Sequence, residues 1–239
     1  MRRVAAAAGS EKKSKIMKPK FLRIAVVLGL LSAIGPFAID MYLPALPSIG
    51  ADLHAGGAAV QMSLLIFFLA MGFGQIVVGP ISDMVGRKLP LYVGLAVFIV
   101  GGVGAALAPT IGWLIAFRFV QGLGACAGMA VPRAVVRDMH TGPEATRLMA
   151  MLMLVFSVSP ILAPLTGSFI IEAFGWRGVF WAVTGAAIIA TVLLATSLKE
   201  TRPAEARIGS SFSTALSGYR FLLGHRRFLG LTAIGGFAL

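Results

Sequence analysis

Cysteine, histidine and acidic side chains are scarce in this sequence. Cys126 is the single cysteine, and 9 Asp and Glu residues stand against 21 Lys and Arg residues. One cysteine excludes a framework of intrachain disulfides, and we expect Cys126 to be a small side chain on a packed helix face. The histidines (His54, His140 and His225) are far apart in the sequence, so no metal-ligating spacing occurs and no metal ion is expected.

The short motifs of common enzymes are also missing. The sequence contains no His-Glu-x-x-His, no Gly-x-Ser-x-Gly and no glycine-rich phosphate loop ending in Gly-Lys-Ser or Gly-Lys-Thr. We therefore expect no enzymatic activity, no nucleotide hydrolysis by that route and no cofactor. A membrane-embedded enzyme is an alternative class that no cluster of residues favours.

Most of the sequence consists of long stretches without charged residues. Hydrophobic residues make up 58% of the chain and charged residues 13%, which is typical of a protein in a bilayer rather than in water. A spanning helix needs about 20 apolar residues, so these stretches predict an all-α integral membrane protein. Its six spanning helices are expected at about residues 21–44, 59–80, 90–108, 112–133, 148–171 and 178–198.

The same pattern divides the chain into four parts. A basic arm occupies residues 1–20, the six-helix bundle 21–198, a linker 199–227 and the start of a seventh helix 228–239. Apolar residues recur at helical spacing in the second half of the linker, so we expect a helix there that lies on the membrane surface. The seventh helix is too short to span by Leu239, which predicts a longer protein. Whether Met17 is the true start stays open.

The distribution of positive charge predicts the orientation. The net charge is +12, yet every Lys and Arg except Arg118 and Arg177 falls in the arm or the first turn of the first helix, in the linker, or around the loops after the second and fourth helices. By the positive-inside rule these segments, and hence the N-terminus, are cytoplasmic. We expect a multi-pass protein of the inner (plasma) membrane whose partners are lipids, protons and small molecules, and not nucleic acid.

Two ionisable residues lie inside apolar stretches, Asp40 in the first helix and Arg118 in the fourth. A charge near the middle of a span costs about 2.5–3.5 kcal/mol on insertion scales, so it rarely lacks a partner or a function. If the six helices form two inverted repeats of three, the first and fourth helices occupy corresponding places. We expect Asp40 and Arg118 to meet there, either as an ion or proton site or as a static structural pair.

The loop after the second helix, GPISDMVGRK, resembles the signature loop of the major facilitator superfamily, Gly-x-x-x-Asp-Arg-x-Gly-Arg-Arg/Lys. The matching residues are Gly79, Asp83, Gly86, Arg87 and Lys88. The resemblance fails at Met84, where the superfamily has a basic residue. It implies a charge cluster at a cytoplasmic gate, in which Asp83 would pair with Arg133 or Arg137 near the inner end of the fourth helix.

Two further motifs support the resemblance. Arg118-x-x-Gln121-Gly122 resembles the fourth-helix motif Arg-x-x-Gln-Gly, and the fifth helix resembles a glycine-rich antiporter motif with Ala or Ser at most of the glycine positions. The residues at the antiporter motif's positions are Ala150, Ser159, Ala163, Pro164, Gly167 and Ser168. Together with Pro160 they predict a kinked helix whose small-residue face can slide on a neighbour, or an ordinary tightly packed helix.

Longer blocks of sequence are similar to the bicyclomycin-resistance (Bcr/CflA) drug:proton antiporters. They are GPFAIDMYLPALPSIGADL, GFGQIVVGPISD, VPRAVVRD, SPILAPLTG and FGWRGVFW. That resemblance implies a twelve-helix fold with two six-helix halves around a central cavity, and proton-driven multidrug efflux by alternating access. This chain would be the N-terminal half, inactive without the C-terminal half. Another major facilitator transporter, such as a metabolite exporter or a symporter, is the alternative function.

A mechanism is expected from the resemblance and the two charges together. Asp40 would take a proton from the outside, its protonation would weaken the contact with Arg118, and substrate would compete with the proton. The residues expected to contact substrate, or else to be packing or lipid-facing side chains, are Phe37, Met41, Tyr42 and Gln121.

Overall fold

Six long helices make up most of residues 19–208 and 211–237, which the computed structural model describes. Six helical segments among these residues are long and apolar enough to cross a membrane, as the sequence predicts. The long helices are α1 (Pro19–Asp40), α3 (Gly57–Val85), α4 (Lys88–Ala106), α5 (Ile111–Met139), α6 (Gly142–Phe174) and α7 (Trp176–Ser197). The predicted arm, apart from its last two residues, and the alternative start at Met17 lie outside the described residues.

Shorter helices connect and follow these spans. A 3-10 turn (Leu43–Ala45) and α2 (Leu46–Asp52) follow α1, and a second 3-10 turn (Ala204–Arg207) follows α7. The predicted amphipathic helix is α8 (Phe212–Gly224), and α9 (Arg226–Phe237) lies where the seventh helix is expected to begin.

Prolines determine where the first span ends. The sequence predicts a helix to about residue 44, but α1 ends at Asp40. Pro44 has no backbone N–H to donate to the carbonyl of Asp40 four residues earlier, and its ring crowds that carbonyl. The chain changes here from the α-helix to the 3-10 turn Leu43–Ala45. Pro47 lies in the first turn of α2, where a missing N–H costs nothing.

Three other spans are longer than the uncharged stretches predict. Asp83 lies inside α3, Arg137 inside α5 and Arg147 inside α6. Charged residues at the end of a span can reach the polar interface while their backbone stays helical. Counting uncharged residues therefore underestimates the length of these helices.

The packing of the six spans is that of a three-plus-three repeat. In the second repeat α5, α6 and α7 occupy the places of α1, α3 and α4. The close packing of α5 on α3 and α4 then matches the packing of α1 on α6 and α7, while α1–α5 and α4–α7 are contacts between corresponding helices. The structure thus confirms the predicted repeat, with α1 and α5 in its two corresponding central positions.

Glycines bring α5 close to its neighbours. A Cβ atom at Gly122 would lie 2.5 Å from the carbonyl oxygen of Phe67 in α3. A Cβ atom at Gly124 would overlap the backbone nitrogen of Phe98 in α4 and lie 2.6 Å from the carbonyl oxygen of Gly94. Small residues at such positions allow helices in a membrane to pack by backbone contact.

We expect Gly124→Val to destabilise the bundle. Overpacking a core costs about 1–3 kcal/mol, and the backbone at Phe98 cannot move aside as a flexible side chain would. The measurement is the melting temperature and the monodispersity of the protein in detergent. Gly72→Val in α3 is the matched control, because nothing lies within 4 Å of a Cβ atom there. Equal melting temperatures for the two variants would contradict the expectation.

The two ends of the bundle differ in charge. One end, which we call the basic end, carries the start of α1, the turn between α3 and α4, the turn between α5 and α6, and the segment after α7. The opposite end carries α2, the turn between α4 and α5, and the turn between α6 and α7.

Candidate functional site

The guanidinium of Arg118 is buried between α1, α3 and α5. Its side chain is 0% exposed, and Nη1 donates to the carbonyl oxygen of Ala38 at 3.2 Å and to Oε1 of Gln121 at 2.9 Å. Its Cζ atom lies 4.0 Å from the ring centroid of Phe67 and 4.5 Å from that of Tyr42. Ring faces, one backbone carbonyl and the Gln121 amide oxygen therefore surround the cation.

The predicted contact between Asp40 and Arg118 is wrong for this structure. No ion pair joins Arg118 to a carboxylate in the part of the chain that the structure describes, and its Nε and Nη2 atoms have no hydrogen-bond partner. The reason is the helical repeat of α1. Ala38 presents its carbonyl to Arg118, and the side chain of Asp40, two positions further along, points to a different side of the helix.

Asp40 instead contacts α6. Its Oδ2 atom accepts a hydrogen bond from Oγ of Ser159 at 3.1 Å. Ser159, Ala163 and Gly167 recur every four residues and are buried on one face of α6. A Cβ atom at Gly167 would lie 2.6 Å from the carbonyl oxygen of Met41. The small-residue face therefore packs directly on the end of α1 that carries Asp40.

Pro160 and Pro164 lie within α6 without ending it. Each removes the backbone donor that would serve the carbonyl four residues earlier, and these carbonyls belong to Phe156 and to Pro160 itself. The ring of Phe156 lies under Arg133, with the guanidinium carbon 5.3 Å from the ring centroid.

The four residues expected to contact substrate divide into two pairs. Tyr42 and Gln121 are fully buried and hold Arg118, and the Tyr42 hydroxyl also bonds to Ser63. Phe37 and Met41 line an apolar cavity of about 270 Å³ between α1, α6 and α7. The sequence could not separate the pairs, because the direction of each side chain depends on how α1 is rotated in the bundle.

A second charged cluster lies at the basic end. Arg87 is 4% exposed; its Nε donates to Oδ2 of Asp138 at 2.7 Å, and its Nη1 lies 2.9 Å from Oδ1 of Asp83 and 2.7 Å from Oγ of Ser82. Gly86, with φ of 97°, turns the chain so that Arg87 folds back onto the end of α3.

The pairing expected for Asp83 is corrected by these contacts. Asp83 pairs with Arg87 and with Arg202 from the segment after α7, at 3.3 Å, and not with Arg133 or Arg137. Arg133 is one helical turn too far from the end of α5 and lies over Phe156 instead. Arg137, with Gly79, lines a small cavity beside the cluster.

Lys88 and Asp138 complete the description of the basic end. The Lys88 amino nitrogen lies 5.6 Å from the ring centroid of Tyr92. Asp138 was not predicted from the sequence, although it ends the VPRAVVRD block. Glu200 and Arg202 were not predicted either, because no local pattern shows that the linker returns to the turn between α3 and α4.

A smaller cluster ties the opposite end together. Oδ2 of Asp52 accepts from Nη1 of Arg177 at 2.6 Å and from Nε1 of Trp176 at 3.0 Å. Arg177 also donates to the carbonyl oxygen of Ala108 at 3.2 Å. The ends of α2, α4 and α7 are thereby joined.

Comparison with known proteins gives the same family throughout. The profile of the Major Facilitator Superfamily matches residues 28–239. The chain is 39% identical over 218 residues to an uncharacterized MFS-type transporter, YdgK, of Bacillus subtilis, covering 90% of this chain and 54% of that protein. It is 30% identical to a bicyclomycin resistance protein homolog of Haemophilus influenzae, with coverage of 89% and 54%.

The multidrug resistance protein MdtL of Escherichia coli is 36% identical over 71% of this chain and 43% of its own length. The chain thus spans about half the length of the curated relatives it matches. Among solved structures, the inward-open xylose transporter XylE of E. coli has a TM-score of 0.70 at 17% identity and covers 90% of this chain and 59% of its own.

The human organic anion transporter MFSD10 has a TM-score of 0.66 at 19% identity, covering 83% of this chain and 53% of its own. These structures share the fold, and the curated relatives are 30–39% identical to this chain in sequence. The chain is therefore a multi-pass membrane protein that belongs to the major facilitator superfamily and matches the N-terminal half of its bicyclomycin-resistance-type members.

Proposed function

We propose that this chain is one half of a proton-coupled exporter of small molecules in which Asp40 carries the proton. The observation that supports this most directly is the bond from Ser159 of the small-residue face of α6 to the Asp40 carboxylate. Two residues earlier, the carbonyl of Ala38 accepts from Arg118. One turn of α1 thus links a titratable acid to α6 and a buried cation to α5.

Protonation acts on the contact between α1 and α6 in this mechanism. The ionised carboxylate of Asp40 only accepts hydrogen bonds, whereas the protonated form also carries an O–H donor. The Ser159 bond therefore weakens or reverses when Asp40 takes a proton. Because Ala163 and Gly167 leave the interface without bulky side chains, α6 can then shift along α1.

That shift is transmitted to α5 and to substrate. Ala38 and Tyr42 hold Arg118 from the same part of α1 that carries Asp40, so movement of α1 changes the position of the cation. Substrate and proton compete for this region, which exchanges one for the other across the membrane. The names of two relatives, a bicyclomycin resistance homolog and a multidrug resistance protein, favour drugs and similar small molecules as substrates.

The orientation is part of the proposal. Lys and Arg residues concentrate at the basic end, and by the positive-inside rule this end is cytoplasmic in the inner membrane. Asp40 then lies nearer the outside, where it meets protons that drive export.

The exposed apolar faces of α3 and α6 favour the presence of a second half of the transporter. In the most apolar 18 residues of each of these helices 22% of the residues are buried, against 56% in the spans that contain α1 and α5. Their exposed side chains include Phe68, Phe73, Ile161 and Phe169. We propose that these faces pack on a second set of six helices and that the central cavity forms between the two sets.

The function is tested by transport in proteoliposomes. We expect the chain joined to a second six-helix half to drive efflux of ethidium under a pH gradient, and an uncoupler to stop it. The chain alone should not transport above protein-free liposomes, since alternating access needs both halves. Ethidium movement independent of the gradient, or uptake together with protons, would contradict the proposed export.

A further inference from the structure

Pro80 leaves an unpaired carbonyl within α3. The ring nitrogen of proline has no hydrogen, so the carbonyl four residues earlier, that of Ile76, loses its helical donor. In this structure the hydroxyl of Tyr219, on α8 of the linker, donates to the Ile76 carbonyl oxygen at 2.8 Å. A residue 143 positions away therefore satisfies a backbone group that proline set free.

The first part of the linker holds the same end of α3. Arg202 donates from Nε to the carbonyl oxygen of Asp83 at 2.8 Å, and its Nη1 lies 3.3 Å from the Asp83 carboxylate. The chain has Met84 where the superfamily loop has a basic residue. Arg202 supplies positive charge to Asp83 from a different part of the sequence.

Glu200 fixes the linker to the start of α4. Its carboxylate accepts from the backbone nitrogens of Arg87 at 2.9 Å and Lys88 at 3.2 Å, and also from those of Thr201 and Arg202. Burial acts to raise the pKa of Glu200, but these four donors outweigh it and the pKa lies below its usual value. Negative charge at the first turn of a helix is also favoured by the helix dipole.

The turn between α3 and α4 accommodates the linker because it contains glycine. A Cβ atom at Gly86 would lie 2.6 Å from Oε2 of Glu200 and 2.6 Å from Nη2 of Arg207. Any larger residue would displace these side chains.

We propose that the linker is a latch on the basic end of α3, by which we mean that two linker residues hold it there. Arg202 binds Asp83, and Tyr219 binds the Ile76 carbonyl that Pro80 leaves without a helical donor. Between these two points the linker faces α3 with small residues, Ala215 and Gly218, across a groove of about 350 Å³. The hydrogen bond of Tyr219 therefore determines where α8 sits along α3. This inference does not depend on which molecule the protein transports.

Docking is also needed for α8 to be stable. α8 has 13 residues, and isolated helices of that length are marginal in water. Loss of the Tyr219 bond should therefore increase exchange of its backbone amides with solvent. Release onto the lipid surface through Leu216, Phe221 and Leu223, which are exposed, is the competing arrangement, and it would give protection that does not depend on Tyr219.

A double-mutant cycle tests the latch. We expect Tyr219→Phe in the 239-residue chain, held in lipid nanodiscs, to raise amide hydrogen exchange in residues 213–224 about two- to tenfold, as expected for one net hydrogen bond. Pro80→Ala restores an N–H that pairs the Ile76 carbonyl within α3. In that background Tyr219→Phe should therefore produce no further increase.

Controls separate the latch from a general loss of structure. Tyr92→Phe in α4 removes a tyrosine hydroxyl elsewhere and should leave exchange in α8 unchanged. Arg202→Gln should raise exchange around residues 200–207 without changing that of α5. An equal effect of Tyr219→Phe with and without Pro80, or no effect in either background, would overturn the proposal.

Discussion

Asp40→Asn is expected to reduce proton-driven transport by the two-half protein to the level of protein-free liposomes while leaving the bundle folded. Asparagine keeps an oxygen that accepts from Ser159, so the contact between α1 and α6 survives. It does not titrate, so its hydrogen bond with Ser159 does not change when the outside pH changes. The measurements are efflux under a pH gradient and the melting temperature of the purified variant.

Asp52→Asn is the matched control for this variant. Asp52 is another acid at the same end of the bundle as Asp40, but its partners are Arg177 and Trp176 and not Ser159. Its side chain is 47% exposed, and exposed ion pairs contribute about 0–1 kcal/mol. Transport by this control should stay near wild type. If Asp40→Asn kept its dependence on the pH gradient, Asp40 would not be the proton carrier.

Arg118→Met should also abolish transport, but with an unchanged or higher melting temperature. The guanidinium is fully buried, and its Nε and Nη2 atoms have no hydrogen-bond partner. Burying a charge without an ionic partner is costly, so removal of the guanidinium should offset the loss of its hydrogen bonds to Ala38 and Gln121. Methionine is flexible enough to fill the space between Phe67 and Tyr42. Stability and function therefore separate at this position.

Arg177→Met provides the comparison. Arg177 makes an ion pair with Asp52 and donates to the Ala108 carbonyl, so its loss should lower the melting temperature slightly and leave transport intact. A strongly destabilised Arg118→Met would instead favour a structural role for Arg118, in which the cation joins α1 to α5 and takes no part in transport.

The number of spans and the repeat followed from the sequence because both depend on the total apolar length and on the spacing of charges. The ends of the spans did not. The first span was expected to end at about residue 44, but α1 ends at Asp40, four residues before Pro44. Asp83 and Arg137 lie within helices that were expected to end before them. Those differences come from backbone sterics and from side chains that reach the interface.

The candidate site was only partly predictable for a related reason. Asp40, Arg118 and Ser159 stood out because each occupies an apolar helix or a motif, but their pairing depends on the rotation of α1, which one sequence does not define. Glu200 and Arg202 had no local signal, since their contacts form between elements more than 100 positions apart.

The aromatic surroundings of Arg118 have an electrostatic consequence for selectivity. The rings of Phe67 and Tyr42, the Gln121 amide and the Ala38 carbonyl are all uncharged at neutral pH, so no neighbouring anion neutralises the guanidinium there. In the proposed mechanism Asp40 is the residue that changes its charge. The two residues together are therefore neutral or positive and never carry net negative charge. If Asp40 is the proton carrier, we expect the site to favour anionic molecules when Asp40 is protonated and to accept a cation only while Asp40 is ionised.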